Sequence, residues 1–172
     1  YAYAALMGAA NNAELLGLNE NYLKKIAKDL YRKINERFWL EDKKYYALAI
    51  SGEGIPSRVL ASNQGHLLFT DVALKTDDLV NSLFSEKLFS GWGIRTLSCN
   101  EKAYDPFSYH NGSIWPHDNA LIALGLAKKG YLSYSQTLSM SLFEAAYELG
   151  GFPELFSGLP RGDENIPYPC LL

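Results

Sequence analysis

Four stretches of this chain concentrate side chains able to do chemistry. They are Ser62-Asn63-Gln64-Gly65-His66, Ser90-Gly91-Trp92-Gly93-Ile94-Arg95-Thr96, Tyr109-His110-Asn111-Gly112-Ser113-Ile114-Trp115-Pro116-His117-Asp118-Asn119 and Phe152-Pro153-Glu154-Leu155-Phe156. In most of them aromatic rings stand beside amide, hydroxyl, imidazole or carboxylate groups. Such pairings suit flat, hydroxyl-rich ligands such as sugars, by stacking together with polar contacts; filling a core is the plainer use of the same rings. Glu154 is the carboxylate with the clearest chemical opening. Its neighbours Pro153, Leu155 and Phe156 are apolar, a setting that perturbs a carboxyl group and suits general acid or base work. An ion pair with Arg161, a few residues on, weighs equally on chemistry alone. Asp118 is balanced in the same way, because a carboxylate in the first turn of a helix is stabilising by itself. His117 caps or packs.

Spacing argues against other chemistries. His110 and His117 stand seven apart across a Pro-initiated helix start, not four apart on one helix face, and no third ligand lies at a familiar spacing, so no metal is expected. No nucleophile elbow, phosphate-binding loop or dinucleotide glycine pattern occurs, and no cofactor is expected.

The elements that must hold these segments are helices. Leu6, Ala9, Ala10, Ala13 and Leu16 keep a helical spacing, and only Gly17-Leu18-Asn19 separates them from a second helix, which predicts an antiparallel hairpin. That second helix has Tyr22, Leu23, Ile26, Leu30, Ile34 and Phe38 on one face and charges on the other, with Asn19 as its cap. A short extended piece is predicted over 44–50, and short helices over 65–70 and 77–86, the latter capped by Thr76. Residues 91–98 read as irregular or extended. Pro116 starts the fifth helix, Lys128 and Lys129 lie in its last turn and Gly130 ends it. A sixth covers 135–149, with Leu138, Leu142, Phe143 and Ala146 along one stripe, followed by a loop containing Pro153, Pro160, Pro167 and Pro169.

Composition sets the outer bounds. The chain has 172 residues, 48% hydrophobic and 20% charged, enough to build one core. A net charge of −3 without a Lys/Arg block argues against a nucleic-acid partner. No apolar run approaches the roughly 18 residues of a membrane span. Cys99 and Cys170 make neither a metal spacing nor a disulfide framework, and a cytoplasmic setting is expected. The start at Tyr1 inside a helical pattern and the end at apolar Leu171-Leu172 read as those of a fragment.

Together the four segments resemble the catalytic domain of the glycogen debranching enzyme (amylo-α-1,6-glucosidase) family, above all its bacterial and archaeal members. The stretch 109–119, Y-H-N-G-S-I-W-P-H-D-N, is the most specific part. The other three follow in the family's order and approximate spacing, over nearly the whole chain. Gln64 and Phe69 depart from the pattern, standing where the family carries Pro and Trp.

The resemblance implies an (α/α)6 barrel that hydrolyses α-glucosidic bonds with inversion, using two carboxylic acids. A full barrel of about a dozen helices needs well over this length. The expectation is therefore a mainly α chain, one domain over 1–172, forming part of an (α/α)6 barrel: about six helices in hairpins, with short extended segments in the loops. By the same resemblance Glu154 is the general base, which must stay ionised and stand about 6.5–9.5 Å from the acid. Trp92 and Trp115 are implied as sugar-stacking or pocket-wall residues, and Arg95, His110 and Asn111 as hydroxyl binders. Tyr109 and Asp118 belong to the same shell, with His66 a weaker member.

The family's general acid is an aspartate upstream of Tyr1, so this chain alone is expected to be inactive. The implied partner is an α-glucan or oligosaccharide, with no nucleic acid and no membrane; the oligomeric state stays open. Alternatives are a trehalase- or glucosidase-like enzyme on the same barrel, a sugar epimerase using histidine chemistry, and a non-catalytic α-glucan-binding helical domain.

Overall fold

Gly17 turns the chain between the first two helices. Its φ of +68° lies in the left-handed region, which costs glycine nothing. The turn is closed by the Leu18 N–H on the Ala13 carbonyl at 2.8 Å. On either side stand α1 (Ala2–Leu15) and α2 (Asn21–Arg37). Asn19 Oδ1 accepts the Asn21 N–H at 3.0 Å in a turn just before α2, while the residue at the cap position is Glu20 and not the expected Asn19. Lys24 pairs with Glu14 at 2.9 Å and the Tyr3 and Tyr31 rings meet at 5.8 Å, so the two helices run antiparallel. This computed structural model describes residues 1–162 and 169–171; Pro167 and Leu172 lie outside the described residues.

A two-stranded antiparallel hairpin follows, β1 (Trp39–Leu40) with β2 (Tyr45–Tyr46), pairing Trp39 with Tyr46 and Leu40 with Tyr45. Then come a 3₁₀ turn at Ser62–Gly65 and three helices: α3 (His66–Phe69), α4 (Thr76–Leu83) and α5 (Pro116–Lys128), with α6 (Leu132–Leu149) last. Thr76 does not cap α4, as its sequence predicts. Its hydroxyl instead accepts the Tyr131 hydroxyl at 3.0 Å, tying α4 to the start of α6. Helix α6 begins three residues before the predicted start at 135, and Phe143, placed in its buried stripe, is exposed and meets Phe152 edge-on at 5.5 Å. Along α2 only Ala27 is buried; Tyr22 and Ile26 of its apolar face stay exposed.

The larger core joins the β-hairpin to α3, α4, α5 and the start of α6, with Leu68, Leu79, Leu83, Leu88, Ile122 and Leu126 fully buried. Its tightest crossing is α3 on α5. A side chain at Gly125 would put its Cβ 2.5 Å from the Phe69 backbone nitrogen, so only glycine lets the two helices approach this closely. A second, smaller cluster draws on the loop segments 90–96, 109–119 and 152–156 and on α6: Trp92, Ile114, Leu142, Ala145 and Phe156.

Those loops are stitched into a short ladder. Ala61 pairs with Leu97, Arg95 with Ile114, Ile114 with Phe156 and Phe156 with Leu171, all antiparallel. Ile114 and Phe156 exchange both backbone hydrogen bonds, at 2.8 and 2.9 Å. Each stretch contributes only one or two residues to the ladder, too few for an alternating pattern to register in the sequence.

Candidate active site

Glu154 sits two residues before the Phe156 rung of the ladder. Leu155 and Phe156 turn into the core, while the Glu154 side chain is exposed. The apolar setting predicted for this carboxylate is therefore not what it occupies: its apolar neighbours anchor the loop and leave the acid facing outward. The alternative ion pair with Arg161 does not form either. Arg161 bonds Glu144 on α6, and its guanidinium lies 4.3 Å above the Trp92 ring. Glu154 Oε1 instead accepts the Tyr109 hydroxyl at 2.8 Å. That carboxylate raises the pKa of Tyr109 through the hydrogen bond first, with desolvation and charge adding to it, and keeps the phenol a donor.

Tyr109 is 48% exposed and stands among rings. It meets His110 edge-on at 4.7 Å and Trp115 edge-on at 4.8 Å, while His110 lies parallel to Trp115 at 6.3 Å. Trp115 is half-buried and is the residue just before α5; His110 and Asn111 are exposed in the turn leading to it. The structure thus brings Glu154, Tyr109, His110 and Trp115 into one cluster, with Asn111 on the same turn.

Asp118 belongs to a second group. It lies in the first turn of α5, where the helix dipole favours a carboxylate. Its Oδ2 accepts the Ser62 hydroxyl at 2.6 Å, and its Oδ1 is bonded to His66 Nε2. The Tyr1 hydroxyl closes the chain on His66 Nδ1 at 2.5 Å. This network clips the 3₁₀ turn and α3 to the start of α5. His117 is exposed and lines, with Pro116 and Phe152, the upper end of an apolar groove of about 570 Å³ between α5 and α6.

Two expected sugar contacts are placed elsewhere. Trp92, predicted to stack on substrate, is 6% exposed, packed in the smaller core and covered by Arg161. Arg95, predicted to bind hydroxyls, is 3% exposed and gives its Nε–H to the Gly158 carbonyl at 2.6 Å and Nη1–H to the Glu86 carbonyl at 3.1 Å. A buried guanidinium bonded in this way fixes the loop beyond Glu154 to the segment that follows α4.

Sequence reasoning missed Asn119. It is fully buried, and its side-chain amide acts as one more strand: Oδ1 accepts the Ile94 N–H at 2.7 Å, while Nδ2 donates to the carbonyls of Ile94 and Trp115 at 3.0 and 2.9 Å. Its place at the end of the 109–119 motif was the available signal. Among the described residues no group of three His, Cys, Asp or Glu side chains could hold a metal ion, and no helix is long and apolar enough to cross a membrane.

Comparison with known proteins bears on this arrangement. The solved mannosylglycerate hydrolase of family GH63 from Thermus thermophilus, in complex with glucose, superposes with a TM-score of 0.76 at 19% identity, covering 96% of this chain and 43% of that one. The neutral trehalase Nth1 from Saccharomyces cerevisiae gives 0.78 at 15% identity, over 94% and 33%. A sialidase gives 0.79 at 14%, over 92% and 16%. At such identities the likeness shows the fold: a mainly α array of hairpins, as the sequence pattern predicts, and part of an (α/α)6 barrel, as the resemblance implies. The chain spans less than half the length of these structures. No curated protein matches it significantly. The family model described as the mannosylglycerate hydrolase MGH1-like glycoside hydrolase domain matches residues 1–159. These findings carry a glycosidase family and do not single out the debranching enzymes, so the chain belongs to the MGH1-like glycoside hydrolase family.

Proposed function

We propose that this chain is the C-terminal half of an (α/α)6 glycosidase, that the complete enzyme hydrolyses an α-glycosidic bond with inversion, and that Glu154 is its general base. The observation that carries the reading is an outward-facing carboxylate held by a hydrogen bond of 2.8 Å from Tyr109, beside the half-buried Trp115. A base needs an ionised oxygen open to water, and Glu154 offers one: Oε1 is bonded to Tyr109 and, among the described residues, Oε2 is left for the nucleophile. In the reaction a water gives its proton to Glu154 as its oxygen bonds the anomeric carbon. The glycosidic bond breaks on the opposite face, and the leaving oxygen takes a proton from the second acid.

Asp118 does not fit that second role, because both its oxygens already bond Ser62 and His66. The acid is proposed to be the upstream aspartate that the family resemblance implies, and the cytoplasm the enzyme's location. For the substrate, the 109–119 motif favours the α-1,6 branch of an α-glucan. The match to the MGH1-like family favours instead a small glycoside such as mannosylglycerate.

The test is turnover by the full-length enzyme of an α-1,6-branched dextrin, mannosylglycerate and trehalose, with the anomer of the first-formed sugar read by NMR. Branched dextrin is the expected substrate, with β-glucose as its first product. Glu154→Gln is expected to lose about 10²–10⁴-fold in kcat. Retained activity in Glu154→Gln refutes the base assignment. Turnover of mannosylglycerate alone replaces debranching with the second reading.

A further inference from the structure

We infer that Tyr109 is the positioning residue of the base, and that Trp115 acts through Tyr109 rather than as a platform for sugar. The inference rests on the reading of Glu154 as base and says how the loop makes it work. Glutamate has three side-chain torsions, and on an exposed loop all three are free unless something holds the carboxylate. Among the described residues the Tyr109 hydroxyl is the group that does so, at 2.8 Å from Oε1.

Tyr109 is itself held on three sides. Its carbonyl oxygen accepts both the Trp115 indole N–H at 3.1 Å and the Ser113 hydroxyl at 2.8 Å. Ser113 Oγ shares the same indole N–H at 3.0 Å. The Tyr109 ring meets both His110 and the indole edge-on, at 85° and 89° to them. Trp115 stands immediately before α5, so the chain of contacts runs from a rigid helix start through Trp115 and Tyr109 to the carboxylate.

The Trp115 ring already has Tyr109 against it edge-on and His110 parallel to it, and its N–H is engaged. Its groups are committed to the loop. A phenol is already protonated throughout the neutral range, and the bond to Glu154 raises the Tyr109 pKa further, so the hydroxyl is a donor where the base works. With Oε1 bonded to Tyr109, Oε2 is the oxygen left open to the attacking water.

The experiment uses full-length enzyme with α-D-glucosyl fluoride, a probe whose leaving group needs no acid, so that the rate reports the base. Tyr109→Phe is expected to lower kcat about ten- to a hundredfold with KM changed less than about twofold. Trp115→Phe keeps a ring but loses the N–H. It should lower kcat about three- to tenfold and add little to Tyr109→Phe, because both act on one hydrogen bond. Unfolding midpoints within about 2 °C of wild type identify the loss as positional and not structural. Wild-type kcat in Tyr109→Phe, with Glu154→Gln inactive, overturns the inference and leaves the base reading standing. A raised KM at unchanged kcat in either variant overturns it in favour of direct sugar binding. An active Glu154→Gln removes the base reading beneath it.

Discussion

Glu154 and Asp118 show how two carboxylates with similar sequence credentials part company at the scale of single residues. Asp118 is bonded by Ser62 and His66 and joins three elements; Glu154 faces outward with one phenol on it. Asn119 makes the same point for a neutral side chain. Its three hydrogen bonds are all to backbone, and two of them satisfy the N–H and C=O of Ile94 as a neighbouring strand would. Asn119→Ala leaves both Ile94 groups buried and unpaired, at about 1–3 kcal/mol each. The expected result is a lower urea midpoint together with loss of activity, since the 94 and 114 segments flank the rung that carries Glu154. An unchanged midpoint in equilibrium unfolding would show that water replaces the amide.

Among the elements, the crossing of α3 on α5 decides where both loop groups stand. Two effects oppose each other at Gly125. Replacing a mid-helix glycine by alanine gains about 1 kcal/mol of helix propensity. The new methyl, however, meets the Phe69 nitrogen at 2.5 Å and Leu68 Cβ at 2.9 Å, and backbone cannot move aside as a side-chain tip can. Overpacking of that kind costs about 1–3 kcal/mol, so Gly125→Ala is expected to destabilise on balance. Chemical denaturation measures the sign directly; a stabilised variant would mean that α3 is not seated on α5. The loop rungs depend on a second element-level anchor. Phe156 is 1% exposed beneath the site, and its truncation to Ala should cost about 3–5 kcal/mol and release the segment bearing Glu154.

Taken whole, the molecule carries a titration signature in two buried tyrosines and one half-buried one. Burial raises the pKa of Tyr45, Tyr46 and Tyr104 above the ordinary tyrosine value. A group with a raised folded-state pKa contributes stability that is fully present below its unfolded value, about 10, and lost as pH rises through the folded one. Unfolding midpoints should therefore hold steady from neutral pH to about 10 and fall above it. Tyr46→Phe should flatten that alkaline fall, while lowering stability at neutral pH because the hydroxyl accepts the N–H groups of Leu74 and Lys75 and donates to Asn35. A midpoint that declines equally in wild type and variant would assign the alkaline loss to other groups.

What the sequence by itself determined was the helical frame and the loops in which aromatic and polar groups gather. Gly17 and Asn19 punctuate the first hairpin, and Pro116 and Gly130 delimit α5; each of these signals is local and survives reading one residue at a time. Tertiary structure alone decided which polar groups face the open space. Trp92 and Arg95 have the composition of sugar contacts, yet the smaller core and the carbonyls of Gly158 and Glu86 take them inside. Phe143 fits a buried stripe by period and is left exposed, because periodicity gives the angle around a helix and not what packs against it. The contacts of Arg161 with Trp92 and Glu144, of Asn119 with Ile94 and of Tyr109 with Glu154 join residues far apart in the chain. Such pairings exist only once the ladder of loops has brought its strands together.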